Sequence, residues 1–201
     1  MVRYYTNGND NYYSIYKIFR ADDKRRDVTF VRSFTSPTNS KKYALPLSNT
    51  AVPNDSTPFY NKWWDPNYAS AGESSTNVTI LRYSEVLLIH AEAENELNGP
   101  TAKAYKSINR VRARAGLPDL VTGLSKDQFR DSVYLERRLE LVYEYQRWFD
   151  LIREKDAGGS GILLTSLQKV GKNNVAAKHY LYPIPQTEID NNPLLTQNPG
   201  W

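Results

Sequence analysis

At 201 residues, with 40% hydrophobic and 24% charged side chains, the chain can bury a sizeable core and has the composition of an ordinary globular protein. It has no cysteine, which excludes disulfides, thiolate metal sites and cysteine nucleophiles, and its 2 histidines, His90 and His179, exclude a histidine-rich metal centre. The formal charge of +4 is local: residues 1–50 hold nine Lys/Arg against four Asp/Glu, and residues 51–201 hold seventeen against eighteen.

The basic surplus centres on Lys24, Arg25, Arg26, Lys41 and Lys42. Asp22, Asp23 and Asp27 are interleaved with it, so it reads as a solvated loop rather than a nucleic-acid footprint. No apolar run approaches the ~20 residues needed to span a bilayer. Met1-Val2-Arg3-Tyr4-Tyr5 lacks the apolar stretch of a signal peptide.

Residues 1–77 read as loop-rich. Turn clusters recur at Asn7-Gly8-Asn9-Asp10, Ser36-Pro37-Thr38-Asn39 and Val52-Pro53-Asn54-Asp55. Short pieces such as Val28-Thr29-Phe30-Val31 between them are candidate strands.

From Arg82 the pattern is helical. Val86, Ile89, Ala93 and Leu97, joined by Tyr83 and His90, form the expected buried face of a helix that stops at Asn98-Gly99-Pro100. A second helix capped by Thr101 carries an apolar stripe of Ala104, Ile108, Val111 and Ala115, and Gly116 and Pro118 end it. The short connection makes the two an αα-hairpin, with Ala91, Ala93, Ala102 and Ala104 allowing close approach. Ser125 and Gln128 form a capping box, and Leu124 with Phe129 a hydrophobic staple, for a third helix running towards Glu144. A further helical stretch covers Arg147 to Arg153 and breaks at Gly158-Gly159-Ser160-Gly161. The tail from Tyr180 is expected to be extended.

Four blocks carry a family resemblance. They are residues 81–93 (LRYSEVLLIHAEA), residues 108–118 (INRVRARAGLP), Glu136-Arg137-Arg138-Leu139-Glu140-Leu141 continuing through Glu144 and Arg147 to Arg153, and a last block. This last runs from Tyr182-Pro183-Ile184-Pro185 through Glu188-Ile189 and Asn192-Pro193 to Gln197-Asn198-Pro199-Gly200-Trp201. In that order they resemble the C-terminal half of the SusD/RagB family, most clearly over residues 78–201. Tyr145 departs from the pattern, which tends to have glycine there.

The resemblance implies an all-α, α-rich fold of tetratricopeptide-like helix pairs with long irregular loops and few or no strands. It implies a non-catalytic, surface-exposed protein of the outer membrane that binds oligosaccharide or polysaccharide and passes it to a SusC-like TonB-dependent transporter. It also implies a lipid anchor, which is not in this chain. No cofactor, metal or nucleic acid is implied. Two rivals stand beside this reading: a helix-pair scaffold that binds protein, and a glycan-degrading enzyme.

The carboxylates of Glu136, Glu140, Glu144 and Asp150 raise the enzyme reading, because glycosidases use a carboxylate pair ~5–9.5 Å apart. Arginines nearby in sequence favour an ion-pair network instead, since pairing lowers the pKa that a general acid needs raised. His90 reads as a hydrogen-bonded packing residue. The ligand candidates are aromatic, chosen by chemistry alone. Trp63 and Trp64 sit between Pro58 and Pro66; if extended there, they point to opposite sides, so one at most faces a ligand. Core burial of both tryptophans is the favoured reading; Tyr4, Tyr5, Tyr12 and Tyr13, with Tyr16, form the second cluster.

Overall fold

The helices of the second half assemble as their caps and periodicity dictate. In the computed structural model, which describes residues 15–45, 58–67, 74 and 76–201, α3 spans Tyr83–Asn98, α4 Ala102–Arg114 and α5 Lys126–Glu140. They follow two short helices, α1 (Ile15–Ile18) and α2 (Lys24–Thr29), and four short strands. These are β1 (Phe30–Val31), β2 (Ser33–Thr35), β3 (Lys42–Ala44) and β4 (Phe59–Tyr60), paired antiparallel as β1–β4 and β2–β3. All of these belong to one compact unit, residues 1–144; a second unit spans residues 145–201. The described fold is helix-rich with two minimal sheets, as expected.

Gly99, at φ +79°, ends α3, and its N–H donates to the Asn95 carbonyl. The Thr101 hydroxyl accepts from the Ala104 N–H to start α4, and also donates to Glu94 Oε1 at 2.8 Å, tying the two helices at their shared end. The capping box of α5 is complete: Ser125 Oγ accepts from Gln128 N–H, and Gln128 Oε1 accepts from Ser125 N–H at 2.9 Å. The core between the three helices is Leu88, Ala91, Ala104, Ile108, Val111, Phe129 and Val133, with Leu124 packed against it. Ala91 and Ala104 are fully buried, which permits close approach; Ala93 and Ala102 are exposed.

One face was misassigned from periodicity. The buried side of α3 is Glu85, Leu88, Ala91 and Asn95, whereas Val86, Ile89, Ala93 and Leu97 face outward and Leu97 is 82% exposed. Both stripes have helical spacing. The buried one is held inward by polar contacts that an apolar pattern does not reveal: Asn95 Nδ2 donates to the Lys126 carbonyl of α5 at 3.0 Å. His90 bonds Ser107 Oγ through Nδ1 at 2.9 Å yet remains exposed.

The region read as loop also differs. Asp23 caps α2 by accepting from the Arg25 N–H, so Val28 and Thr29 are helical and only Phe30 and Val31 form strand. The basic run is not simply solvated, because Arg25 is buried within it. Phe19, Phe30 and Leu139 form a second cluster, flanked by Tyr16, Tyr60 and Tyr143.

The second unit holds α6 (Arg147–Arg153), α7 (Leu163–Gln168), a 3₁₀ turn (Ala177–Tyr180) and α8 (Gln186–Asn191). The glycine run between α6 and α7 is an ordered turn: Asp156 Oδ1 accepts from Ser160 N–H, and Gly159 takes φ +81°. The tail is not wholly extended, since α8 interrupts it. Its terminal residues are fastened by side chains. Gln197 clasps Ile184 through both backbone groups at 2.8 and 2.9 Å, and the Trp201 indole N–H donates to the Lys178 and Leu181 carbonyls under the Lys178 ammonium. No described helix is long and apolar enough to cross a membrane.

Candidate functional site: an aromatic group and an ion network

Two constellations follow from this fold, and only one has accessible chemistry. The first is the carboxylate set of α5. Glu136, Glu140 and Asp23 are each about 2% exposed. Arg25 reaches Asp23 at 2.7 Å, Glu136 at 2.6 Å and Glu140 at 3.0 Å. Arg112 bonds Glu136 at 3.1 Å, and Arg114 bonds Glu140 at 2.6 Å. Arg82 pairs with Glu140 and, at 2.7 Å, with Glu144, which also takes Lys62 at 2.5 Å.

The network anticipated from sequence is present: these partners come from α2, α4 and the loops, and Asp150 pairs with its sequence neighbour Arg153 at 2.8 Å. Burial pushes the Glu140 carboxyl up, and the guanidiniums of Arg82, Arg114 and Arg25 outweigh it, holding the group at about 2. Such a carboxylate is a structural anion and a poor proton donor. In the second unit, burial raises the Glu154 carboxyl, but that group is only 1% exposed and paired with Arg147 at 3.0 Å. Among the described residues no group of three or more metal-ligating side chains is gathered.

The second constellation is aromatic. The β2–β3 register sets Phe34 opposite Tyr43, and the rings stack at 5.1 Å and 13°. The connecting turn is closed by Ser36 N–H to the Lys41 carbonyl, by Asn39 Oδ1 accepting from Lys41 N–H, and by a left-handed Ser40 at φ +54°. Phe34 also receives Trp64 edge-on at 5.4 Å and rests on the buried Phe59 at 4.9 Å. Phe34, Tyr43 and Trp64 are each half-buried, and the Lys41 ammonium lies 5.6 Å from the Tyr43 ring centre.

Trp63 and Trp64 are not in an extended run: Trp63 sits in a turn with φ +65°. Its indole N–H donates to the Tyr143 carbonyl at 2.7 Å, beside Tyr143 stacked on Tyr60 at 4.3 Å. Neither tryptophan is fully buried. Tyr16 packs edge-on against Phe30 at 5.4 Å beneath Arg26. Tyr4, Tyr5, Tyr12 and Tyr13 lie outside the described residues.

Sequence reasoning missed Phe34 and Tyr43. The signal was there: Ser33-Phe34-Thr35 and Lys42-Tyr43-Ala44 alternate around a turn cluster, the pattern of a hairpin. Together these side chains offer flat apolar rings, a cation and short hydroxyl and amide groups at one hairpin, which suits the C–H face and hydroxyl rim of a polyol.

Comparison with known proteins gives a consistent result. The SusD family model matches residues 1–201. The SusD-like protein P2 of Formosa agariphila is 32% identical over 202 residues, covering 93% of this chain and 39% of that protein. A crystal structure of a SusD homolog from Bacteroides thetaiotaomicron aligns with a TM-score of 0.67 at 29% identity, over 90% of this chain and 41% of that one. Surface glycan-binding protein A from Bacteroides uniformis aligns with a TM-score of 0.60 at 32% identity, over 91% of this chain and 39% of that one. The chain thus spans about two fifths of the length of these three relatives.

Proposed function

We propose, from the premise that this chain belongs to the SusD family, that it takes part in non-catalytic binding of an oligosaccharide on the outer surface of the cell. Delivery to a SusC-like TonB-dependent transporter in the outer membrane is part of the same reading. Likeness to a protein named as a surface glycan-binding protein supports the ligand class. The observation that carries the site is the half-buried aromatic group of Phe34, Tyr43 and Trp64.

Aromatic rings lose little entropy on binding and dominate the energy of small contact surfaces. Trp64 is the better of the two tryptophan candidates, because the Trp63 indole N–H is already bonded within the chain. Residues 1–77, which hold this group, form the proposed glycan-facing segment, with Tyr4, Tyr5, Tyr12 and Tyr13 as further candidates. A non-catalytic role is supported by the arginine-paired carboxylates and by Glu140 held at about 2, opposite to what an acid catalyst needs.

The test is calorimetric titration of a panel of soluble α- and β-linked oligosaccharides, with reducing-end assays run in parallel. Saturable binding without new reducing ends is expected. Cleavage that disappears on replacing one carboxylate would overturn the non-catalytic reading, and absence of binding across the panel would overturn the ligand class. The exposed apolar stripe of α3 gives some weight to a protein-interaction role as well.

A further inference from the structure

The hairpin that carries Phe34 and Tyr43 lies in a basic stretch of sequence. From Val28 to Trp64 the chain holds Arg32, Lys41, Lys42 and Lys62 against a single carboxylate, Asp55. Four cations of the first part of the chain are neutralised within the fold. Arg20 pairs with Asp22, Arg26 with Asp27, Arg25 with three buried carboxylates, and Lys62 with Glu144. Arg32, Lys41 and Lys42 are exposed instead, and none of them has an ion-pair partner among the described residues. The carboxylate next to Trp64, that of Asp65, is buried and accepts from the Asn67 N–H and the Ser74 hydroxyl.

Side-chain alternation sorts the two lysines onto different faces. In β3, Lys42 and Ala44 are exposed while Tyr43 between them is half-buried and stacked on Phe34. Lys42 therefore stands on the side away from the rings. Lys41, two positions before Tyr43, returns to the aromatic side, and its ammonium lies 5.6 Å from the Tyr43 ring centre. Asn39 Oδ1 accepts from the Lys41 N–H at 3.0 Å, which fixes the backbone at the root of that side chain. A ring face attracts an ammonium but leaves its charge uncompensated. A carboxylate or sulfate offers a charge-assisted hydrogen bond, the stronger partner, and the flexible four-carbon stem lets the ammonium turn to it.

We infer that the glycan bound at this hairpin is anionic, with a carboxylate or sulfate ester on the sugar that meets Phe34, Tyr43 and Trp64, and that Lys41 selects it. The inference rests on the glycan-binding reading of this aromatic group and narrows its ligand class. The rings take the C–H face of the sugar, as they would for a neutral one. Discrimination comes from the ammonium beside them: a neutral sugar leaves it on Tyr43, and an acidic sugar pairs with it. Lys42 and Arg32 add positive field around the hairpin, which favours the approach of an anionic chain.

Matched oligosaccharides isolate the charge. Calorimetry on the full chain compares tetragalacturonate with its methyl ester, and a sulfated galactan tetrasaccharide with its desulfated form, at low and high ionic strength. The acidic member of one pair should bind about tenfold tighter than its neutral twin at low ionic strength, the size of one charge-assisted hydrogen bond. The advantage should shrink at high ionic strength, and the pair that shows it separates carboxylate from sulfate. Lys41→Gln should bring the ratio of the two affinities close to one, Lys41→Arg should restore it, and Lys42→Gln should leave it nearly intact. Neutral twins that bind as well as the acidic members overturn the inference and leave the glycan reading standing. Failure of both acidic members to bind also overturns it, and the wider neutral panel then decides the glycan reading by itself. A preference reduced alike by Lys41→Gln and Lys42→Gln would be a field of the whole segment and would remove Lys41 as the selecting residue. Polyaspartate that binds as tightly as the acidic sugars, with the same dependence on Lys41, would reduce the site to a bare anion patch and overturn the selection of a sugar.

Discussion

Arg25 and Glu136 are 111 positions apart in the chain, and their guanidinium and carboxylate meet at 2.6 Å. The contact fastens the α2 segment to the middle of α5, and Arg25 is 8% exposed there against 3% for Glu136. The same guanidinium group bonds Glu140 and Asp23, so its loss takes a partner from three buried carboxylates at once, and leaves Glu136 to Arg112 and Glu140 to Arg82 and Arg114.

Arg25→Ala should therefore destabilise the protein by about 3–5 kcal/mol, the cost of breaking a buried ion pair from one side. Arg114, whose side chain is 59% exposed, should cost less than about 1 kcal/mol when replaced by Ala. Urea midpoints of the two variants check the ordering; equal losses would show that burial of the guanidinium is not what matters.

Acid should act through Glu140. Its folded value of about 2 lies below the ordinary 4.5, so its contribution is full above about 4.5 and is lost as pH falls towards 2. At ~1.4 kcal/mol per pH unit that is on the order of 3 kcal/mol. Glu154 works in the opposite sense: burial raises it, so its charged form weighs against the folded state as pH rises through that raised value. Urea unfolding at pH 7, 4.5 and 3 should show a steep loss over the last interval. The loss should shrink in Glu140→Gln, and an unchanged pH dependence in that variant would refute the assignment.

The two tryptophans should separate. Trp64→Ala should weaken glycan binding by about 1–3 kcal/mol, taking aromatic stacking elsewhere as a guide, and Tyr43→Ala should follow it. Trp63→Ala removes the indole bond to the Tyr143 carbonyl and should lower the melting temperature more than it lowers affinity. Calorimetry and thermal melts on both variants decide it; normal binding by Trp64→Ala would move the platform to the tyrosines near the start of the chain.

Ser125→Ala removes the acceptor for the Gln128 N–H and should cost about 1 kcal/mol. Gly116→Ala should cost more. Its φ is +76°, and an added Cβ would stand 2.8 Å from Lys24 Cε, next to the bond from Lys24 N–H to the Ala115 carbonyl. Denaturant midpoints measure both; a neutral Gly116→Ala would mean that the α2 segment shifts without penalty.

What the sequence revealed was local. Helices α3 to α5 were legible because Thr101, Ser125, Gln128, Gly99 and Gly116 mark their ends by chemistry acting over three or four residues. The orientation of α3 was not, since two faces of the helix carry apolar residues at the same spacing, and contacts such as Asn95 reaching Lys126 of α5 form between residues far apart in sequence. The partners of Glu136 and Glu140 were equally hidden: Arg25, Arg82, Arg112 and Arg114 arrive by tertiary folding from distant positions in the sequence. Trp64 was singled out by composition, but its companions Phe34 and Tyr43 depended on a strand register.

Lys62 and Trp63 hold the same short loop by two side chains, one on Glu144 and the Glu140 carbonyl, the other on the Tyr143 carbonyl. Trypsin must seat a lysine side chain in its own pocket to cut, and the Lys62 ammonium is bound within the fold. Cleavage after Lys62 therefore requires both tethers to let go, and its rate in the native protein reports how often the segment bearing Trp64 leaves the scaffold. Proteolytic nicking at this one peptide bond becomes a clock for the mobility of the proposed sugar platform, readable without any ligand at all.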